Sequence, residues 1–295
     1  MVTIGIIGKG YIGENIQFFN NYRKDKKDIS FFSTSKYFLN ENDYSSKLNT
    51  LKLKQSEIRE NFSNFISNKD LLINTFTIQY EEFLKYDNVK RQEIYFFFES
   101  YISLLVEEIE KKKNICIHLS SNKINNIFDK EDANYWYVKC HNLVKKIFNK
   151  NNLKINNILI PNVFGYIEDT KKGKNLLINN IIETSLSGKK FKLINKNFFY
   201  RDILFIADLC KIFYSNKIIR INTESKIQFD VKRAQELIDK YTLKIEIHEF
   251  SKIVYNIFNI LGLNEFNHYI SEISSDGKNK NIINILKDMR SKSLI

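Results

Sequence analysis

Three of the chain's nine glycines stand together in Gly8-Lys9-Gly10-Tyr11-Ile12-Gly13, directly after a β-branched run at 3–7 and directly before a helical stretch. In such a turn the first glycine permits the tight bend, the second lets the backbone approach a pyrophosphate, and the third allows close packing of helix on strand. The helix N-terminus adds unpaired N–H groups and partial positive charge for the phosphates. This strand–turn–helix context predicts dinucleotide binding by Gly8, Lys9, Gly10, Tyr11, Ile12 and Gly13.

A second constellation suits proton transfer. Tyr135 and Lys139 are four residues apart and share one helix face. A free tyrosine ionises near pH ~10. An ammonium held beside it favours the phenolate and brings the hydroxyl toward the working range of a general acid or base. The run 115–119 ends in Ser120-Ser121, which sets a hydroxyl at the carboxyl end of a strand, where it would polarise a carbonyl. Ser121, Tyr135 and Lys139 are the expected catalytic residues.

The end of the second strand selects between dinucleotides. NAD sites usually carry an acid there for the ribose 2′-hydroxyl, whereas this chain has Phe32-Ser33-Thr34-Ser35-Lys36. Hydroxyls and a cation suit a 2′-phosphate, so NADP(H) is expected in preference to NAD(H), with Ser33, Thr34 and Lys36 as ligands. Asn74, in the apolar run 71–76, is a further expected cofactor contact.

Strand and helix patterns alternate through the first half and would hold these groups. Strands are predicted at 3–7, 29–32, 71–76, 115–119 and 158–160, with helices at 11–20, 91–112 and 135–149, the last capped by Asp132. Such alternation argues for right-handed βαβ units in an α/β, Rossmann-like, doubly wound parallel sheet. After Gly165 the pattern loosens, with helices expected at 175–186, 207–214 and 231–241 and an extended piece at 191–194. The expected organisation is a dinucleotide-binding domain over 1–165 and a smaller, mainly substrate-binding lobe over 166–295, part of which returns to the first domain.

Composition removes several other classes. Apolar residues make up 43% of 295, enough for a real core. No apolar run approaches the ~18 residues of a membrane span, and Met1-Val2-Thr3-Ile4 opens without the charged segment of a secretory signal. Cys116, Cys140 and Cys210 are odd in number and far apart, which reads as buried thiols in a reducing cytoplasm. Four histidines without metal-ligand spacing predict no metal site. The net charge of +12 is spread along the chain, and no basic stripe with interleaved aromatics marks a nucleic-acid face.

The order of these motifs resembles the extended short-chain dehydrogenases/reductases, the NAD-dependent epimerase/dehydratase family of nucleotide-sugar epimerases, 4,6-dehydratases and 4-ketoreductases. The resemblance runs from residue 1 to about 210 and includes Pro161-Asn162-Val163-Phe164-Gly165 and Arg201-Asp202. It implies that Asn162 faces cofactor and substrate, that Ser121 and Asn122 line the substrate, that Lys139 also holds the cofactor ribose, and that Arg201 binds the substrate diphosphate. A planar guanidinium suits that last role, since it can grip phosphate oxygens bidentately. The family often pairs through the helix bearing the Tyr/Lys motif, so the resemblance also raises a homodimer.

The residues after Ser121 narrow the implied reaction. Family dehydratases carry an acid pair there, and this chain has Asn122-Lys123. Coupled epimerisation uses a Cys near the serine and a His after the Asn-x-Tyr-Gly turn, and neither is present. Reduction of a keto group on a nucleotide-linked sugar is the expected activity. A nucleotide-sugar 4-epimerase with tightly bound NAD, and a catalytically degenerate dinucleotide-binding module, are the alternatives.

Overall fold

The computed structural model describes residues 2–21, 26–33, 35–38, 41, 43–150, 156–164, 180, 184, 200–215, 217–221 and 227–247. In chain order the elements begin with β1 (Thr3–Ile7), α1 (Tyr11–Asn21), β2 (Asp28–Phe32), α2 (Tyr44–Leu53), α3 (Gln55–Ile66), β3 (Leu71–Asn74), α4 (Tyr80–Leu84) and α5 (Asn88–Lys112). There follow β4 (Ile115–Ser121), α6 (Ala133–Lys150), β5 (Asn156–Ile160), β6 (Asn162–Phe164), β7 (Tyr200–Phe205) and α7 (Ile206–Tyr214). The last are β8 (Ile219–Ile221), β9 (Ile227–Phe229), α8 (Val231–Tyr241) and β10 (Leu243–Glu246).

These elements divide into two compact units. The first comprises Met1–Gly13, Lys27–Leu159 and Asn216–Val231. Its main sheet has the order β2-β1-β3-β4-β5, with β1 parallel to β2 and to β3, and β3 parallel to β4. Central parallel strands are covered on both faces and so read as continuous apolar runs; Leu71, Leu72 and Ile73 of β3 are all fully buried. Strand order reverses between β1 and β3, and the crevice at such a switch point is where ligands bind in open α/β sheets. The glycine turn follows β1 at that point. Ile7, Phe32, Leu72 and Cys116 from the strands share one core with residues of α2, α3, α5 and α6.

Local chemistry explains the helix limits. Asp87 caps α5 by accepting from the Lys90 amide at 3.0 Å, three residues earlier than periodicity alone suggests. Lys113 ends it in the left-handed region at φ 57°. Asp132 accepts from the Asn134 amide at 2.8 Å and starts α6. The helices α2 and α3 were not anticipated. In α2 only Leu51 is buried, so its sequence carries almost no periodic apolar signal; α3 buries Ile58, Phe62 and Ile66 at helical spacing.

The second unit comprises Glu14–Lys26, Ile160–Ser215 and Lys232–Ile295. It holds a three-stranded sheet β10-β7-β6, antiparallel between β10 and β7 and parallel between β6 and β7. Helices α7 and α8 lie where expected, α7 burying Leu209, Cys210, Ile212 and Phe213. Within 175–186 only Asn180 and Thr184 are described, both helical; the remainder, and 191–194, lie outside the described residues.

Candidate active site

The glycine turn has the geometry its sequence requires. Gly8 sits at φ +98°, and a Cβ there would lie 3.0 Å from the Phe76 amide nitrogen. A Cβ on Gly13 would fall 2.7 Å from the Gly8 carbonyl oxygen, so α1 can approach the turn this closely only with glycine. At Gly10 no atom of the described residues, its chain neighbours aside, lies within 4 Å of where a Cβ would be. The Gly8 amide donates to the Phe32 carbonyl (3.0 Å) and Thr75 Oγ1 donates to the Gly8 carbonyl (3.0 Å), fixing the turn between β2 and β3. A turn that is closed at its first and third glycines and open at its second fits a dinucleotide pyrophosphate.

At the end of β2, Ser33 Oγ and Ser35 Oγ are 3.0 Å apart. The Lys36 ammonium lies 4.8 Å from the centroid of the Tyr37 ring. Thr34 lies outside the described residues. Asn74 is committed inward: its Nδ2 is 3.1 Å from His118 Nδ1, and its Oδ1 accepts from the Phe76 amide at 3.1 Å. It braces the strand ends.

Ser121 ends β4 and is buried, and its Oγ accepts from the Lys123 amide at 3.2 Å. Asn122 follows on a 3-10 turn. Of the two tyrosines, Tyr137 has the side-chain hydrogen bond to Ser121. Two residues along an α-helix are about 200° of rotation, so only one of the two can face β4. Tyr135 and Lys139 face α5 instead. The Lys139 ammonium lies 4.2 Å from the Tyr95 ring, 4.5 Å from Trp136 and 5.7 Å from Tyr135. This pair packs an aromatic cluster through cation–π contacts. The phasing of α6 held the clue. Lys139 continues into exposed Asn142 and Lys146, whereas Tyr137 continues into buried His141, Val144 and Phe148.

On the inner face, His141 occupies the position four residues after Tyr137, their ring centroids 4.7 Å apart. His141 Nδ1 is 3.3 Å from Ser120 Oγ, and Nε2 is 3.3 Å from Thr77 Oγ1. His118 lies alongside at 5.6 Å, with its buried Nε2 unpartnered. Burial holds His118 down to about 4, and burial together with His118 keeps His141 well below the usual histidine range. Burial pushes the Tyr137 hydroxyl up to about 12, against the Ser121 contact, which lowers it. At neutral pH the site therefore presents a protonated phenol and two neutral imidazoles. The nearby cation is Lys123, its ammonium 5.8 Å from the Tyr137 ring and 5.1 Å from that of Tyr80.

Two expected substrate residues belong to the second unit. Asn162 Nδ2 donates to the Asp202 carbonyl at 3.1 Å, linking β6 to β7. Arg201 stands on β7 opposite Ile245 of β10, and burial lowers its guanidinium below the ordinary arginine value. Asp208 pairs with Lys211 at 3.5 Å.

A parallel sheet with the glycine turn at its switch point is a Rossmann-like α/β fold. Solved structures carry the same fold. A GDP-L-fucose synthetase from Naegleria fowleri matches with a TM-score of 0.58 at 9% identity, over 88% of this chain and 79% of that one. DesIV, a dTDP-glucose 4,6-dehydratase from Streptomyces venezuelae, matches with a TM-score of 0.55 at 10% identity, over 88% and 81%. The capsular polysaccharide assembling protein CapF from Staphylococcus aureus matches with a TM-score of 0.51 at 12% identity over 93% of this chain, which spans 63% of CapF. No family model and no curated protein matches the sequence.

Proposed function

We propose that the protein is an NADPH-dependent reductase of a keto group on a nucleotide-linked sugar. The observation that carries this reading is the meeting of the Ser121 and Tyr137 hydroxyls at the end of β4, in the same unit as the open glycine turn. Gly8 to Gly13 would hold the pyrophosphate, with Ser33, Thr34 and Lys36 at the 2′-phosphate. The bound nicotinamide supplies the hydride. Ser121 donates a hydrogen bond to the carbonyl oxygen, and Tyr137 gives its proton to the alkoxide that develops there. Asn122, Asn162 and Arg201 are assigned to the substrate, Arg201 to its diphosphate. The nucleotide-sugar enzymes that share the fold support the substrate class. Three free, buried thiols support a reducing cytoplasm.

Burial keeps the Tyr137 phenol protonated at neutral pH, the form that gives a proton to an alkoxide, whereas a 4-epimerase must first deprotonate a hydroxyl. His141 in place of a cation after Tyr137 is the observation that favours the second reading, a dinucleotide-binding module without chemistry. The test is loss of NADPH absorbance with a panel of keto-sugar nucleotides. Turnover with at least one of them is expected, and Tyr137→Phe should lower kcat by roughly 100-fold or more while NADPH still binds. Tight NADPH binding with no substrate consumed would establish the module instead.

A further inference from the structure

The first unit holds a cavity of about 550 Å³ around Ile115, which begins β4, and Asn156, which begins β5. Ser121 and the glycine turn lie at the opposite end of the parallel strands. The volume falls in the range of small-molecule sites, roughly 300–1,000 Å³. Ile115, Ile218, Ile227 and Phe229 give it apolar walls, the last with an aromatic ring. Its base is fixed: Asn114 Nδ2 donates to the carbonyls of Ile66 (3.2 Å) and Lys69 (2.9 Å).

Two cations border the cavity, Lys113 and Arg220. Arg220 Nε donates to the Lys217 carbonyl at 3.1 Å, which orients the guanidinium. Neither cation makes an ion pair among the described residues. Lys113 stands at φ 57°, the one non-glycine residue with positive φ among those described. Helices that end in this conformation usually place glycine there. Lys111 and Lys112 already supply the cations that favour the end of α5, so the helix gains little from a third.

A guanidinium fork beside an ammonium suits a phosphate. Asn156 and Gln228 bring carboxamides to the same cavity, and a carboxamide matches the N6 and N7 edge of adenine. A base can stack on the ring of Phe229. Asp230, the one acid of the lining, accepts from a ribose hydroxyl. We propose that this cavity is a second ligand site, taking an adenine nucleotide with its phosphate on Lys113 and Arg220 and its base against Phe229. The proposal does not depend on the chemistry assigned to Ser121 and Tyr137.

The experiment titrates AMP into the full chain labelled with carbon-13 at isoleucine methyls, with and without NADPH. The Ile115, Ile218 and Ile227 signals, assigned by their loss in the Ile→Val variants, should shift in both series. Shifts confined to Ile6, Ile7 and Ile12 would put AMP at the glycine turn and overturn the proposal, as would no shift at all. Arg220→Gln and Lys113→Gly should each weaken AMP at least tenfold. Lys113→Gly should also keep or raise Tm, because glycine suits the positive φ, so its loss of binding is not a loss of folding. Unchanged AMP affinity in either variant refutes the phosphate seat. Adenosine should bind at least tenfold more weakly than AMP. Inorganic phosphate that binds as tightly as AMP would reduce the cavity to an anion site and overturn the nucleotide assignment.

Discussion

Tyr135 and Tyr137 carry the same functional group on one helix and differ in angular position, Tyr137 turning toward His141 and Tyr135 toward Trp136 and Lys139. Tyr135→Phe removes a hydroxyl from the face that packs on α5, where Lys139 sits against Tyr95 and Trp136. It should leave keto-sugar reduction within about twofold of wild type, in contrast to Tyr137→Phe, whose lost hydroxyl is the one at Ser121. Steady-state kinetics on the two variants side by side decide this, and equal losses would return the catalytic role to the outer face. The same reasoning separates the lysines. Lys139 follows Tyr135 at helical spacing, yet the cation over the Tyr137 ring is Lys123, from the turn after β4.

At the level of elements, the β1–α1 turn offers a substitution pair that splits folding from ligand binding. Gly10→Ala places its methyl in open space, so the protein should fold with its Tm unchanged or slightly raised by the reduced entropy of the unfolded chain. The same methyl would occupy the approach of a pyrophosphate, and NADPH affinity should fall at least tenfold. Gly13→Ala drives a methyl to 2.7 Å from a backbone oxygen that cannot rotate away, and should lower Tm or abolish soluble expression. Thermal melts with and without NADPH measure both. If Gly10→Ala binds NADPH as wild type does, the open second glycine is not the pyrophosphate seat. The turn was legible in the sequence because its demands are local, a positive φ at Gly8 and close approach at Gly13. The α2 and α3 helices were not, since α2 is held mainly by its Asp43 cap and by neighbours rather than by an apolar stripe of its own.

Across the molecule, the buried histidines make stability depend on pH. His118 is held down to about 4 and His141 is lowered as well, so the unfolded chain binds more protons than the native one once the pH drops below the free histidine value of about 6.5. Their contribution is complete above that value and is lost as the pH falls toward 4. For His118 alone the loss by pH 5.5 is on the order of 1 kcal/mol. Urea unfolding at pH 7.5 and 5.5 should show this decline, with a smaller decline in His118→Gln; identical slopes for the variant and wild type would remove His118 as a source. The sequence by itself determined the run of β-branched strands, the glycine turn, most helix positions and the burial of the three thiols, because periodicity, φ preference and capping act over a few residues. The tertiary structure alone decided which face of α6 meets β4. It brought Asn74 to His118 and Thr77 to His141, residues 44 and 64 apart in the chain. Such pairings depend on how strands order in a sheet and how a helix rolls onto it, and those are set by the burial of the whole core rather than by any local pattern.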